Sequence, residues 1–358
     1  MTAQDSENPW PETVDLASRA LGGSVVWAND EFFGMKENLV TPAAPTFSPH
    51  TFNLKGQIVD GWETRRRRAG GPGVEGSDHD TAIIRLGAPG TISGVTVDTS
   101  FFVGNYPPAC SLEAICAPGF PSPAELLAAA WTTIVPESKL RGDTHNRFTI
   151  DPKVVGKRFT HVRLNNIPDG GIARLRVHGA VLADPEFTVG VQCDLAAARN
   201  GARIAGSSNA FFSPALAALM PGESRVMGEG WETARRRDDG NDWLTVGLAA
   251  PGVLHDAVID TTCFVGNAPG WARLTDADTG AELLPRTRLQ PDTEHHFRLV
   301  ARNAAGRVRL DIYPDGGISR LRLHGTIPPA EQPAITDRWQ ALLPPRELAL
   351  VDQSEYFS

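Results

Sequence analysis

The chain has 358 residues, 35 of them glycine and 28 proline, with 41% hydrophobic residues and a formal net charge of −8. That length suits two domains of roughly 100–200 residues each. The many backbone breakers exclude long helices and coiled coils. The hydrophobic content excludes wholesale disorder, and the acidic balance excludes a generic nucleic-acid binder.

The first twenty residues are acidic and lack a basic segment followed by an apolar run, so no secretory signal is expected. The longest apolar stretch, near Leu126–Trp131, is far short of the ~20 residues that cross a bilayer. Cys110, Cys116, Cys193 and Cys263 form no C-x-x-C pair and read as reduced, mostly buried thiols of a cytoplasmic protein. A local Cys110–Cys116 disulfide is the minor alternative.

Asn29-Asp30-Glu31-Phe32-Phe33 is the first chemically loaded segment, and Gly61-Trp-Glu-Thr-Arg-Arg-Arg-Arg68 the second. On a strand, four successive arginines send two side chains to each face, and paired guanidinium forks can grip a carboxylate. The same run also reads as a solvated or salt-bridged stripe. Asp78-His79-Asp80 sets a carboxylate beside an imidazole, a general acid or base candidate whose spacing matches no strong metal-ligand signature. Ile83–Leu86 and Gly94–Asp98 are expected as short strands bounded by Gly or Pro. Next comes Asp98-Thr-Ser-Phe-Phe-Val-Gly-Asn105, with Phe101 and Phe102 expected in the core. Asp98 reads as a turn cap, and Asn105 as a loop-lip residue able to hydrogen-bond an amide-type group. A short helix is expected over Ser122–Thr132, and Val162–Leu164 is an alternating strand. Pro168-Asp-Gly-Gly171 is a tight turn in which Asp169 is structural. In the strand that follows, Ala173, Leu175 and Val177 alternate with Arg174, Arg176 and His178. A linker is placed near Ala183–Thr188, and a few helical residues around Asp194–Arg199.

The second half then repeats the first in the same order. Gly230–Arg237 differs from Gly61–Arg68 only in having Ala234 for Arg65. Asp260–Asn267 matches Asp98–Asn105 apart from Thr262 and Cys263, and Pro314–Gly325 matches Pro168–Gly179 apart from Ser319 and Leu323. Such a tandem duplication implies a first repeat over 1–184, a second over 185–330 and a tail over 331–358. Period-2 segments separated by turns read as an antiparallel β-sandwich. The copies differ where protons could move: Asp30, Glu31 and His79 become Asn209, Ala210 and Asn241. Those changes make the first copy the catalytic candidate, unless they are drift on exposed loops.

The motifs Asn29–Gly34, Asp60–Arg68, Asp98–Pro108 and Met227–Arg237, with the two Pro-Asp-Gly-Gly strands, resemble the allantoicase (allantoate amidinohydrolase) family. The resemblance spans about residues 22–326. It implies an all-β fold of two tandem jelly-roll domains of the galactose-binding-like kind, assembled as a homo-oligomer, a trimer or hexamer. It further implies hydrolysis of allantoate to ureidoglycolate and urea in purine degradation. No cofactor is expected, no metal ligand is assigned, and dependence on a divalent metal stays open. No nucleic-acid or membrane partner is expected. Under this reading Arg66, Arg67, Arg68, Arg235 and Arg236 hold the substrate carboxylate, while Asp98, Asn105 and Asn267 receive its ureido groups. Glu63 and His79 are the expected acid–base pair, with Asp30 and Glu31 as rivals. Two other classes compete. One is a non-catalytic anion- or carbohydrate-binding β-sandwich with Trp62 or Trp231 as platform, and the other is a hydrolase or lyase acting on ureidoglycolate.

Overall fold

One 19-residue strand organises each copy of the repeat. A computed structural model describes residues 9–10, 13–67, 78–117, 119–300 and 303–351, so Arg68 lies outside the described residues. The chain divides into two units, one running to Ala180 and rejoined by the stretch from Leu342, the other spanning Val181–Ala341.

Apart from a two-stranded hairpin of Phe52–Asn53 and Gly56–Gln57, the strands of the first unit open with β1 (Val14–Asp15), β2 (Ser24–Ala28), β3 (Trp62–Glu63), β4 (Asp80–Asp98) and β5 (Ala109–Ile115). They continue as β6 (Thr132–Lys139), β7 (His145–Thr149), β8 (Phe159–Ile167), β9 (Gly171–Ile172) and β10 (Arg174–Val181). The main path runs β1-β10-β4-β8-β5-β6, with β2 and β7 also paired to β4. Strand β4 serves two layers. Its first half pairs with β2 and β8, and its last residues, Gly94–Asp98, pair with β7. The expected strands Ile83–Leu86 and Gly94–Asp98 are therefore one. Gly87-Ala-Pro-Gly90 between them bends the strand instead of ending it, because a Cβ on Gly90 would overlap the Ala180 carbonyl where the layers meet.

The second unit rebuilds this plan with β11 (Gln192–Asp194), β12 (Arg203–Ser207), β13 (Trp231–Glu232), β14 (Asp242–Asp260) and β15 (Trp271–Asp276). Its remaining strands are β16 (Glu282–Arg288), β17 (Glu294–Arg298), β18 (Ala305–Tyr313), β19 (Gly317–Ile318) and β20 (Arg320–Thr326). The order is β11-β20-β14-β18-β15-β16, with β12 and β17 on β14. Each unit is thus a jelly-roll β-sandwich, and the fold is a tandem pair of them.

Alternation along β10 buries Leu175 and Val177 as expected, but Arg174 is buried too. A covering loop explains it: the guanidinium donates to the carbonyls of Ala43 and Asp60, each at 3.0 Å, and pairs with the Asp60 carboxylate at 2.8 Å. Helix α1 covers Pro123–Ala128, started by a capping box between Ser122 and Glu125 and ended before β6 opens at Thr132. Helix α2 is a single turn, Pro152–Val155. The segment 185–187 is a 3₁₀ turn capped by Asp184, and of the few helical residues expected around Asp194–Arg199, Asp194 ends β11 while a 3₁₀ turn forms over Ala198–Asn200. Past the second repeat lie α3 (Gln332–Ala341) and α4 (Pro345–Val351). All four cysteines are free thiols, Cys110 and Cys116 buried. No helix of the described residues is long and apolar enough to cross a membrane.

Candidate functional site

Trp62 anchors the site. Its indole is fully buried and its Nε1 donates to the Asp30 carbonyl at 2.7 Å. Strand alternation then turns the neighbouring Glu63 to the opposite face. The pairing of β3 with β9 sets Glu63 opposite Gly171. Glycine is required there, because a Cβ on Gly171 would overlap the Phe102 ring. The Gly171 amide donates to the Asn105 carbonyl at 2.7 Å, which fixes the loop carrying Asn105 beside β3. Across that gap Asn105 Nδ2 donates to Glu63 Oε1 at 2.9 Å. Burial raises the pKa of Glu63, and the Asn105 bond opposes that rise. The half-buried carboxyl therefore holds a proton more readily than a free one, while Asn105 supports the anion once the proton leaves.

The other candidates have distinct placements. Asp30 accepts from Arg65 at both the backbone N (3.0 Å) and Nε (2.9 Å), and from the Phe32 amide at 2.9 Å. Glu31 is exposed and pairs with Lys36 Nζ at 3.1 Å. His79 Nδ1 sits 2.7 Å from Asp78 Oδ1, and His79 is not among Glu63's partners in the described residues. Asp98 caps a turn, accepting from the Ser100 amide at 2.8 Å and its hydroxyl at 2.6 Å. Burial raises its carboxyl, but bonds from His145 and Ser100 outweigh that and hold it below the usual range.

Arg65–Arg67 do not lie in a strand, since β3 ends at Glu63. Arg65 is committed to Asp30. Arg67 turns its largely covered side chain onto the Asp80 carboxylate, and its amide donates to Asp169 Oδ2 at 2.8 Å. Arg66 is exposed and makes no ion pair among the described residues. In the second unit Arg236 pairs with Asp242 at 2.9 Å and Asp238 at 2.8 Å, Arg235 is exposed, and Asn267 Nδ2 donates to Glu232 Oε1 at 2.6 Å. The salt-bridge reading thus describes Arg65, Arg67 and Arg236, and leaves Arg66 and Arg235 available to an anion.

Sequence reasoning missed an exposed aromatic rim on the segments that reach Glu63, one through the Phe33 amide bonded to the Glu63 carbonyl and one through the loop that also carries Asn105. Phe101 was expected in the core beside Phe102, yet Phe101 is 47% exposed and Phe102 only 2%. The reason is backbone: Phe101 lies in the left-handed region at φ 68°, held by its amide donating to Asp143 Oδ1 at 2.9 Å, which turns its ring outward. Phe47 stacks on Phe101 at 5.7 Å, and exposed Phe32 and Phe33 meet edge to face at 5.0 Å. The signal was present, because a Phe-Phe pair recurs at 211–212. Among the described residues no three His, Cys, Asp or Glu side chains gather as a metal-ligand set.

Known proteins are similar to this chain over most of its length. The allantoicase repeat model matches residues 14–182 and 193–328. A probable allantoicase of Nocardia farcinica is 51% identical over 333 residues, covering 91% of this chain and 98% of its own length. A probable allantoicase of Pseudomonas paraeruginosa is 41% identical over 335 residues, covering 88% of this chain and 97% of its own. The crystal structure of Saccharomyces cerevisiae allantoicase superposes with a TM-score of 0.74 at 32% identity, covering 87% of this chain and 93% of that one. With the repeat model matching two successive stretches that together make up most of the chain, the protein belongs to the allantoicase family.

Proposed function

We propose that this chain hydrolyses allantoate to ureidoglycolate and urea, as a step of purine degradation, with Glu63 as the proton carrier. The observation that carries the assignment to Glu63 is a half-buried carboxyl, pKa raised by burial, whose side-chain partner is the Asn105 amide.

Allantoate has a central carbon bearing one carboxylate and two ureido arms. Glu63 gives its proton to the nitrogen of one arm as the bond between that nitrogen and the central carbon breaks, and urea departs. The lone pair of the remaining ureido nitrogen supports the carbon as an iminium-like cation. Water adds to that carbon and releases its proton to the Glu63 carboxylate, which restores the acid and leaves the hydroxyl of ureidoglycolate. One carboxyl thus serves as acid and then base. Asn105 steadies it while it is anionic. Arg66 takes the substrate carboxylate as a planar fork, and the Phe32–Phe33 rim limits water at the cation. No cofactor enters these proton transfers. A homo-oligomer in the cytoplasm completes the proposal, supported by the exposed Phe211 and Phe212 and by the four free thiols.

Because Glu63 must begin protonated, activity falls as pH rises through its pKa. Asn105→Ala removes a bond that favours the anion, so that pKa rises further and the alkaline limb moves to higher pH. A pH–rate profile unmoved by the substitution counts against Asn105's role. The function itself is tested by incubating the purified chain with allantoate, with ureidoglycolate and with glycans. One urea per allantoate consumed is expected. Silence on allantoate, with turnover of ureidoglycolate alone or retention on glycans, overturns the proposal.

A further inference from the structure

The second unit repeats the site's scaffold bond for bond. Trp231 Nε1 donates to the Asn209 carbonyl at 2.8 Å, as Trp62 does to Asp30. Gly317, packed against Phe264 as Gly171 is against Phe102, donates to the Asn267 carbonyl at 2.9 Å. The carboxyl opposite Gly317 is Glu232. In both units a phenylalanine amide donates at 3.2 Å to the carbonyl of that glutamate, Phe33 to Glu63 and Phe212 to Glu232, which ties an exposed Phe pair to each. Cys263 keeps the left-handed backbone of Phe101, with φ 72°, and its amide donates to Asp292 Oδ1 at 2.8 Å. Backbone strain of this kind is retained where the surroundings enforce it.

The differences lie beside the carboxyl. Ala234 stands where Arg65 binds Asp30, so no guanidinium follows Glu232 two residues on. Met227 Sδ lies 3.6 Å from Asn267 Nδ2. The glutamate–asparagine pair and an exposed arginine three residues past the glutamate therefore persist, while the Asp30–Arg65 ion pair that braces the loop beside Glu63 is replaced by a single bond of 3.3 Å from the Ala234 amide to Asn209 Oδ1.

We infer that the second unit holds a second ligand site, in which Glu232, Asn267 and Arg235 bind a small carboxylate carrying ureido groups without turning it over. This rests on the function proposed for the Glu63 site and extends it to two ligand molecules per chain. Recognition follows the same chemistry: the carboxamide and carboxylate meet ureido N–H and C=O groups, and the arginine fork meets the carboxylate.

Calorimetric titration of the full-length Glu63→Gln variant with allantoate tests it, since that variant binds substrate while its turnover is cut by about 10³-fold. Two equivalents per chain are expected. Adding Asn267→Ala, whose side chain among the described residues bonds Glu232 and Met227 while its backbone carbonyl is kept, lowers this to one. One equivalent or none in Glu63→Gln, or two persisting in the double variant, overturns the inference. Urea release by the wild-type chain separates this outcome from failure of the proposed function: urea with single occupancy sinks only the second site, and double occupancy without urea sinks only the hydrolysis.

Discussion

Replacing Glu63 with Gln is expected to lower kcat on allantoate by about 10³-fold while leaving KM within a few-fold of wild type. Glutamine keeps an oxygen to accept from Asn105 and nearly the same shape, so the loop at 101–105 and the substrate contacts persist. It can neither give a proton to the departing urea nor take one from water. A positioned acid or base contributes roughly 10²–10⁴-fold, and here one group fills both roles. The comparison variant is His79→Gln. With His79 held at Asp78 and outside Glu63's partners, its loss is expected to cost less than tenfold. Steady-state urea release by both variants decides the matter. A His79 variant as slow as the Glu63 variant would restore histidine as the base, and a Glu63 variant near wild type would remove the carboxyl from the chemistry.

The largest effect on stability is expected from Arg67→Met. The side chains of Arg67 and Asp80 are 9% and 3% exposed, and the pair forms inside the sandwich edge where β4 begins. Asp80 has one further side-chain donor, Asn29 Nδ2 at 2.8 Å, and its second carboxylate oxygen is buried without a hydrogen bond. Removing the guanidinium leaves a buried carboxylate with a single amide for compensation. Breaking such a pair costs ~3–5 kcal/mol. At ~2–4 °C per kcal/mol for a unit of this size, Tm of the first unit falls on the order of 10 °C. Arg67→Met with Asp80→Asn recovers much of the loss, because the orphaned charge is gone. Thermal unfolding of the three variants checks this. A weakened KM in Arg67→Met with Tm unchanged would instead make Arg67 a substrate ligand.

Much of the fold was legible because its signals are local. Ala173, Leu175 and Val177 alternate along one strand, Pro168-Asp-Gly-Gly marks a turn, and the second copy repeats both. The turn also performs as read, with Gly170 at φ 137° and Asp169 holding the Arg67 amide. What escaped was set by long-range geometry. Gly87–Gly90 has the composition of a strand end, and only the layer beneath it shows that it is a bend. Phe101 and Phe102 are equally apolar, and a single left-handed residue decides which ring is buried. The arginine run could not be divided from sequence, because Arg65 and Arg67 find Asp30 and Asp80 through folding, leaving Arg66 exposed. Glu63 could be nominated from its motif, but its partner Asn105 is 42 residues away and is delivered by Gly171. His79, nominated with it, is grouped with Asp78.

Single-turnover hydrolysis of allantoate in ¹⁸O-labelled water tests the chemistry most directly. Attack of water on the central carbon predicts unlabelled urea, with the label in the new hydroxyl of ureidoglycolate when the products are trapped at once. Ammonia with labelled carbon dioxide, or label in the urea, would place the attack on a ureido carbonyl and contradict the role given to Glu63.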